Sequence, residues 1–240
     1  MSVLVLQLAG PLQSWGASSR FARRTTEPAP TKSGVIGLLA AAQGRSRTEE
    51  LHGLVTLRFG VRIDQPGTPL RDFQTAHRFT TGEALPVSDR FYLADAVFVA
   101  AVESDDGDLI EDLHRAVREP GFLPYLGRRS CPPARRVDLG FHHDRTLSEA
   151  LQQEPWRAAP WYQRRHRNEA SVTLTLLEEA TSADGPVDTL RDQPISFDPL
   201  HRQYALRGVR NRSCTVANPA CRAVRAAIPN HDPTSVLGGA

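Results

Sequence analysis

Residues 3–8 read VLVLQL, and this stretch decides the fold class that the sequence predicts. A run of Val and Leu with one polar residue is typical of a β-strand buried on both faces of a sheet. The next residues, 9–30, are rich in Gly, Pro, Ser and Arg and predict a loop. We therefore expect a central strand near the N-terminus, with a long loop at its end.

A helix is predicted after this loop. Thr31 or Ser33 can cap its N-terminus, and Gly44 stops it after residue 43. Apolar residues recur between these points at helical spacing, at Val35, Ile36, Leu38, Leu39 and Ala42.

Two strands and a second helix come next. Residues 56–64 (TLRFGVRID) alternate, so that one face packs on a core and the other exposes Arg58 and Arg62. Residues 91–102 (FYLADAVFVAAV) predict one further strand. Residues 109–117 predict an amphipathic helix that begins among acidic side chains, as the helix dipole favours.

The order strand, helix, strand, strand, helix, with more strands from residues 171–177 onward, predicts an α+β fold. It is the ferredoxin-like pattern that RNA-recognition-motif domains also use. We expect a palm with an antiparallel sheet, formed by residues 1–64 and 91–215, plus additional C-terminal strands. Residues 216–240 would form a C-terminal tail.

The segment between the two middle strands, residues 65–90, is longer than hairpin connections usually are. It mixes charged side chains with Phe73, His77 and Phe79. A long insertion inside a compact domain is normally either functional or disordered, and the mixture of charges and aromatic rings favours a functional projection.

Composition excludes several classes of protein. The chain has 240 residues and a formal net charge of +2. Its longest apolar run without a charge, residues 34–42, is far shorter than the roughly 20 residues that cross a bilayer. The three cysteines lack zinc-site spacing, and the N-terminus lacks the basic start of a signal peptide. We expect a cytoplasmic protein with reduced cysteines and no membrane association.

The basic residues are concentrated in stretches without acids. Lys32 is the one lysine among 29 basic residues, and the rest are arginines. Residues 128–136 and 157–167 each hold four arginines and no acid, and residues 202–225 hold six. Such segregation favours a face that binds a polyanion. A GC-rich genome explains the arginine bias equally, and solvated loops remain the alternative for the blocks.

Three segments carry candidate nucleic-acid contacts. Lys32 and Ser33 lie at a predicted helix N-terminus, where free N–H groups favour phosphate, and further positive charge precedes them at Arg20, Arg23 and Arg24. An ordinary capped helix is the alternative.

The second segment presents Gln13 and Trp15 at the end of the first strand, where the indole can stack on a base or cap the core. The third is a Gly-hinged pair, Arg128 and Arg129, suited to phosphates; a solvated surface turn is the alternative.

Signals for catalysis are weaker. The eight histidines show no metal-ligand spacing, and no serine-hydrolase motif is present. A metal-independent ribonuclease could use His77 with Tyr92 or Lys32, but no spacing singles out such a set. We expect no cofactor, no metal ion and no catalytic residues.

Four motifs together resemble the CasD subunit family of the type I-E CRISPR Cascade complex. They are LAGPLQSWG at residues 8–16, PTKSGVIGLLAAAQG at 30–44, LRDFQTAH at 70–77 and PYLGRRSCP at 124–132. The resemblance implies a ferredoxin-like palm with a thumb emerging between its two middle strands. The long insertion is where this thumb would lie, and it looks shorter than in the family.

The resemblance also implies a role and partners. Members of this family hold the 5′ handle of the CRISPR RNA, contact the CasC backbone subunit and the large CasA subunit, and meet target DNA indirectly through the complex. In type I-E systems another subunit cuts the precursor RNA, so this one is expected to be non-catalytic. In the related type I-C branch the equivalent subunit is itself the processing ribonuclease, which supplies the alternative function.

Site residues carried over from the resemblance fall into two groups. The handle would contact Gln13, Trp15, Lys32, Ser33, Arg128 and Arg129, with Arg20, Arg23 and Arg24 adding charge nearby. The thumb would contact RNA or the neighbouring backbone subunit through Arg71, Gln74, His77 and Arg78.

Overall fold

The structure, a computed structural model, describes residues 1–16, 23–181 and 184–222, and it has a mixed α/β fold with mostly antiparallel strands. The elements follow one another along the chain as β1 (Ser2–Ala9), β2 (Leu12–Gln13), β3 (Arg23–Arg24), α1 (Lys32–Ala42), β4 (Arg58–Gln65), β5 (Thr68–Gln74), β6 (Ser88–Ala94), β7 (Val97–Ser104), α2 (Gly107–Arg118), β8 (Asp138–His143), α3 (Leu147–Gln153), α4 (Pro160–Arg165), β9 (Ser171–Glu179), β10 (Asp188–Ser196) and β11 (Gln203–Ala217).

A seven-stranded sheet forms the body of the protein, in the order β10-β11-β9-β4-β7-β1-β8. β1 lies between β7 and β8 and is antiparallel to both. Its Leu4, Leu6 and Leu8 pack with α1 and α2 in one core, whereas Val3 and Val5 pack with α3 in another. The prediction of a strand buried on both faces is confirmed, because helices cover the sheet on both sides.

Helix α1 begins and ends where the sequence predicts. Of the two candidate caps, Thr31 is the one used, and its Oγ1 accepts a hydrogen bond from the Gly34 N–H at 3.3 Å. The left-handed φ of +77° at Gly44 follows the end of the helix. Gly34 also lets the Trp15 ring approach, because a Cβ at this position would lie 2.7 Å from the indole.

The prediction that Arg62 is exposed is wrong. α3 and the segment after it cover that face of β4, and Arg62 has no exposed surface. Its guanidinium forms two hydrogen bonds to Asp64, at 2.7 and 2.9 Å. It also donates to the carbonyls of Leu151, Glu154 and Pro155. The predicted alternation of apolar and charged residues along β4 is correct, but both faces of the strand are covered.

Residues 91–102 were predicted to form one strand, and this prediction is also wrong. They form the end of β6 and most of β7, which belong to different sheets. The chain turns at Asp95, whose φ is +57° and whose N–H donates to the Pro11 carbonyl at 3.0 Å. Aspartate tolerates this left-handed conformation better than most residues, so the turn needs no glycine.

The insertion is a β-hairpin in the second sheet. β5 pairs antiparallel with β6, and every residue of β5 is exposed. β2 and β3 flank β6 and complete this small sheet. Because β6 runs to Ala94, the base of the hairpin extends past residue 90.

The C-terminal strands extend the large sheet at one edge. β9 was predicted from residues 171–177, and β11 and β10 follow it in antiparallel order. β11 runs to Ala217, past the expected start of the tail at residue 216. The remainder of that tail, from residue 223 onward, lies outside the described residues.

Candidate nucleic-acid interface

Two strands of the small sheet, β3 and β6, bring separated arginines together. β3 pairs with β6 in parallel, with Arg23 opposite Asp89 and Arg24 opposite Arg90. Paired side chains lie on the same face of a sheet, and alternate residues of a strand share a face. Arg24, Arg90 and Tyr92 therefore lie on one face, while Arg23 lies on the other.

Arg128 joins this face from a distant part of the chain. Its guanidinium lies over the Tyr92 ring, 4.7 Å from the centroid, and its Nη2 donates to the Arg24 carbonyl at 2.8 Å. Gly127, with a φ of +82°, makes the turn that positions it. Arg129, the next residue, is exposed. We call Arg24, Arg90, Arg128 and Arg129 the arginine cluster.

The Nη1 of Arg128 is buried and has no hydrogen-bond acceptor among the residues that the structure describes. A buried guanidinium donor without a partner costs free energy, on the order of 1–3 kcal/mol. The Arg128 side chain as a whole is half-buried, so a different part of it remains accessible to a ligand. Phosphate oxygens are well suited, because guanidinium binds them through paired hydrogen bonds.

Arg23, on the opposite face, lies over the Phe91 ring at 5.3 Å from the centroid. Arg20, which was expected beside it, lies outside the described residues. Sequence reasoning missed Arg90, although the alternation of residues 88–94 in a strand places it beside Tyr92. Tyr92 had been considered solely as a ribonuclease candidate.

Gln13 and Trp15 are interior residues with no exposed surface. The Gln13 amide donates to the carbonyls of Leu8 at 3.1 Å and Ala96 at 2.8 Å. Its oxygen accepts the Trp15 indole N–H at 3.0 Å. The two side chains hold the end of β1 in the core, which is the core-capping alternative for Trp15.

Lys32 and Ser33 are buried as well. The Lys32 ammonium forms hydrogen bonds to both carboxylate oxygens of Glu179, at 2.9 and 3.1 Å. The Lys32 backbone N–H donates to Asp192 at 2.7 Å, so the chain's own carboxylate occupies the expected phosphate position. Burial lowers the pKa of Lys32 from its usual value, and the neighbouring Glu179 carboxylate opposes this shift.

The thumb candidates are spread along the hairpin and are all exposed. Arg71 donates to Asp89, with N–O distances of 3.0 and 3.1 Å. The Arg78 guanidinium lies 3.5 Å from the Glu83 carboxylate, and His77 Nδ1 lies 3.0 Å from the Gly82 carbonyl oxygen. Gln74 accepts a hydrogen bond from Ser88 through its backbone. Phe73 and Phe79 are strongly exposed on the same hairpin.

Candidate catalytic groups do not converge. His77 lies seven residues beyond Leu70, the residue that pairs with Tyr92. β5 ends at Gln74, which lies about 13 Å along the strand from Leu70 at about 3.3 Å per residue, and His77 lies three residues beyond that end. Burial raises the pKa of the Cys131 thiol, which disfavours a thiolate. Within the described ranges, no group of three His, Cys, Asp or Glu side chains could hold a metal ion.

Every helix in the part of the chain that the structure describes is too short or too polar to cross a membrane.

Comparison with known proteins identifies the family. The model of the CRISPR-associated protein family (Cas_Cas5) matches residues 3–210. The CRISPR system Cascade subunit CasD of Escherichia coli (strain K12) is 37% identical over 158 residues, which are 58% of this chain and 70% of that protein.

Comparison with solved structures points to the same family. A structure described as that of a Cas protein is 35% identical, covers 91% of this chain and 97% of its own, and superposes with a TM-score of 0.68. A chain from a CRISPR RNA-guided surveillance complex is 34% identical, covers 92% of this chain and 93% of its own, and has a TM-score of 0.73. The resemblance to CasD seen in the sequence motifs is confirmed, and the chain belongs to the CRISPR-associated protein family (Cas_Cas5).

Proposed function

We propose that this chain is a non-catalytic, cytoplasmic subunit of a Cascade-type surveillance complex in antiviral defence, where it binds and caps the 5′ handle of the CRISPR RNA. Its similarity to the Cascade subunit CasD and to a chain of a surveillance complex supports this role. CasC and CasA would be its protein partners, and target DNA would be reached through the complex.

Arg128 is the observation that carries the proposal. Its half-buried guanidinium lies over Tyr92 and donates to the Arg24 carbonyl, Arg24 pairs with Arg90 across β3 and β6, and the exposed Arg129 follows in the chain. Single-stranded RNA supplies phosphates for the guanidinium groups and bases that stack on aromatic or guanidinium planes. The arginine cluster therefore becomes the proposed handle contact, with Arg23 on the reverse face. Gln13, Trp15, Lys32 and Ser33 are buried and would stabilise the fold instead.

The fold suggests how the subunit is divided. β8-β1-β7-β4 are four adjacent antiparallel strands joined in the strand and helix order of a ferredoxin-like domain. We assign this palm to residues 1–64 and 91–215, the thumb to residues 65–90 and the tail to residues 216–240. β6 continues the thumb hairpin to Ala94, so residues 91–94 belong to the hairpin although they fall within the residues assigned to the palm.

The thumb would contact RNA or the CasC backbone subunit through Arg71, Gln74, His77 and Arg78. Two large apolar side chains beside them, Phe73 at 73% exposure and Phe79 at full exposure, support an interaction role. Exposed apolar side chains grouped on a projection are typical of surfaces that a partner covers.

The alternative function, a metal-independent endoribonuclease, has no observation that favours it. A general acid and base must reach the same phosphodiester, whereas His77 lies beyond Gln74, four residues along β5 from the Leu70–Tyr92 pair. Lys32 is held inside the protein by Glu179.

The test is a binding measurement on the full chain with handle-bearing CRISPR RNA. Arg128→Ala is expected to weaken binding about tenfold or more, since hydrogen bonds to charged groups contribute about 1.5–3 kcal/mol. It should also reduce the slope of log affinity against log salt by about 0.7, the value for one phosphate contact on a single strand.

Arg115→Ala is the matched control, because Arg115 is an exposed arginine on α2 that pairs with Asp112. Equal loss of affinity in both variants would show that net charge alone, rather than the arginine cluster, binds the RNA.

A further inference from the structure

A cavity separate from the arginine cluster lies where the end of β1, the turn at Asp95 and the start of α4 meet. Its volume is about 320 Å³, and its lining includes Pro11, Asp95, Ala96, Arg135 and Trp161. This volume accommodates a flat ring system the size of a nucleobase. Its lining residues include a tryptophan, an aspartate and an arginine, which together can recognise one class of ligand.

Trp161 supplies the stacking surface. Its residue surface is 42% exposed, although the Arg165 guanidinium lies 5.1 Å from its ring centroid. The other two tryptophans, Trp15 and Trp156, are buried in the cores. An exposed indole beside a cavity is unusual in a chain that buries its other indoles, and stacking on a base is a common use for one.

Asp95 supplies hydrogen-bond acceptors. It occupies the left-handed region with a φ of +57° and is exposed. The Gln65 amide holds the turn by donating to the Asp95 carbonyl. Non-glycine residues in this conformation are uncommon and cluster at functional sites. A carboxylate accepts two parallel hydrogen bonds, and among the RNA bases guanine offers two adjacent N–H donors on its Watson–Crick edge.

Arg135 connects the cavity to the proposed RNA path. It is held by a hydrogen bond from its Nη1 to the Arg157 carbonyl at 3.0 Å. It belongs to the acid-free block of residues 128–136, whose other end is Arg128 of the arginine cluster. One basic segment thus joins the two sites, and this continuity favours RNA over a peptide as the ligand.

We propose that this cavity is a nucleobase pocket that takes one unstacked base of the bound RNA, with guanine preferred. Trp161 stacks on the base, Asp95 accepts its N–H groups and Arg135 faces the adjoining phosphate. The proposal rests on the proposed function, because the RNA is the same strand that the arginine cluster holds.

The experiment is calorimetric titration of the full chain with GMP, AMP, CMP, UMP and inorganic phosphate. GMP is expected to bind the parent more tightly than the other three nucleotides. Trp161→Ala should weaken the binding of GMP about tenfold, which is the scale of one base–aromatic stack. Trp161→Phe should retain most of the affinity of the parent for GMP. Asp95→Asn, which tolerates the same backbone conformation, should remove the preference for GMP over AMP. Phe122→Ala, an exposed aromatic outside the cavity, is the matched control.

Three results would overturn the pocket: no saturable binding of any nucleotide by the parent, unchanged GMP binding in Trp161→Ala, or equal binding of all four nucleotides with competition by inorganic phosphate. Handle-RNA binding by Arg128→Ala is measured in parallel. If Arg128→Ala weakens RNA binding while the parent does not bind GMP, the nucleobase pocket is contradicted and the proposed function is supported. If GMP binding depends on Trp161 while Arg128→Ala binds RNA as tightly as the parent, the role of the arginine cluster is contradicted and the nucleobase pocket is supported.

Discussion

At the scale of single residues, burial decides what each basic side chain does. Arg62 has no exposed surface and neutralises Asp64, whose pKa is raised by burial even though Arg62 opposes that shift. It also satisfies three carbonyls, one in α3 and two in the segment after it. This buried arginine therefore attaches that segment to the central sheet.

Arg62→Ala should reduce the free energy of unfolding by about 3–5 kcal/mol, because it leaves the Asp64 carboxylate buried without a counter-charge. Urea denaturation followed by circular dichroism measures the change. Arg115→Ala, on the surface, should change it by no more than about 0.5 kcal/mol. Equal midpoints for the two variants would contradict the buried position of Arg62.

The residue scale is also where sequence reasoning was weakest. Lys32 and Arg128 both follow turn-forming residues and both predict a phosphate contact. The acids that enclose Lys32, Glu179 and Asp192, lie 147 and 160 positions away in the chain. No local pattern reports contacts between residues so far apart, whereas the Gly-hinged turn at Arg128 is recognisable locally.

At the scale of elements, turns determine which side chains reach the interface. Gly127 closes the turn before Arg128 with a φ of +82°, and a Cβ there would overlap the Ser14 carbonyl oxygen. Asp95 similarly ends β6 and directs β7 into the other sheet. The periodic segments β1, α1 and α2 were predicted well. The break inside residues 91–102 was not, because both halves are apolar and the turn contains no Gly or Pro.

Gly127→Ala should destabilise the protein by at least about 1 kcal/mol, since alanine is strained at positive φ and the backbone of Ser14 must move. We also expect a loss of RNA affinity comparable to that of Arg128→Ala, because the guanidinium is displaced from Tyr92. Thermal unfolding and RNA titration measure the two effects.

Gly185→Ala is the control for this turn, because a Cβ at Gly185 would have no atom within 4 Å. If Gly127→Ala kept full RNA affinity at reduced stability, the turn would matter for folding alone.

At the scale of the whole molecule, the large sheet and the hairpin differ in how much of their surface is buried. The sheet buries two cores, whereas β5 is exposed along its full length. The residue patterns predicted β1, β4 and β9 of the large sheet and the position of the insertion. They did not predict β8, β10 or β11, whose apolar patterns are interrupted by polar residues and whose places depend on pairing across the sheet.

Replacing residues 75–87 by an Asn-Gly turn should leave the fold intact, because this loop joins the paired residues Gln74 and Ser88. The free energy of unfolding should change by less than about 1 kcal/mol, as for other exposed positions. Co-purification with the CasC backbone subunit and CRISPR RNA should fall several-fold. Undiminished assembly would remove His77, Arg78 and Phe79 from the proposed contacts.

The central claim is that the protein binds the handle of CRISPR RNA through the arginine cluster and does not cut it. The most direct measurement incubates labelled CRISPR RNA with the parent and with Arg128→Ala in EDTA, and runs native and denaturing gels side by side. We expect a gel shift by the parent that requires the 5′ handle, a weaker shift by Arg128→Ala, and intact RNA with both. Cleavage at one defined position, or a shift unaffected by loss of the handle and of Arg128, would contradict it.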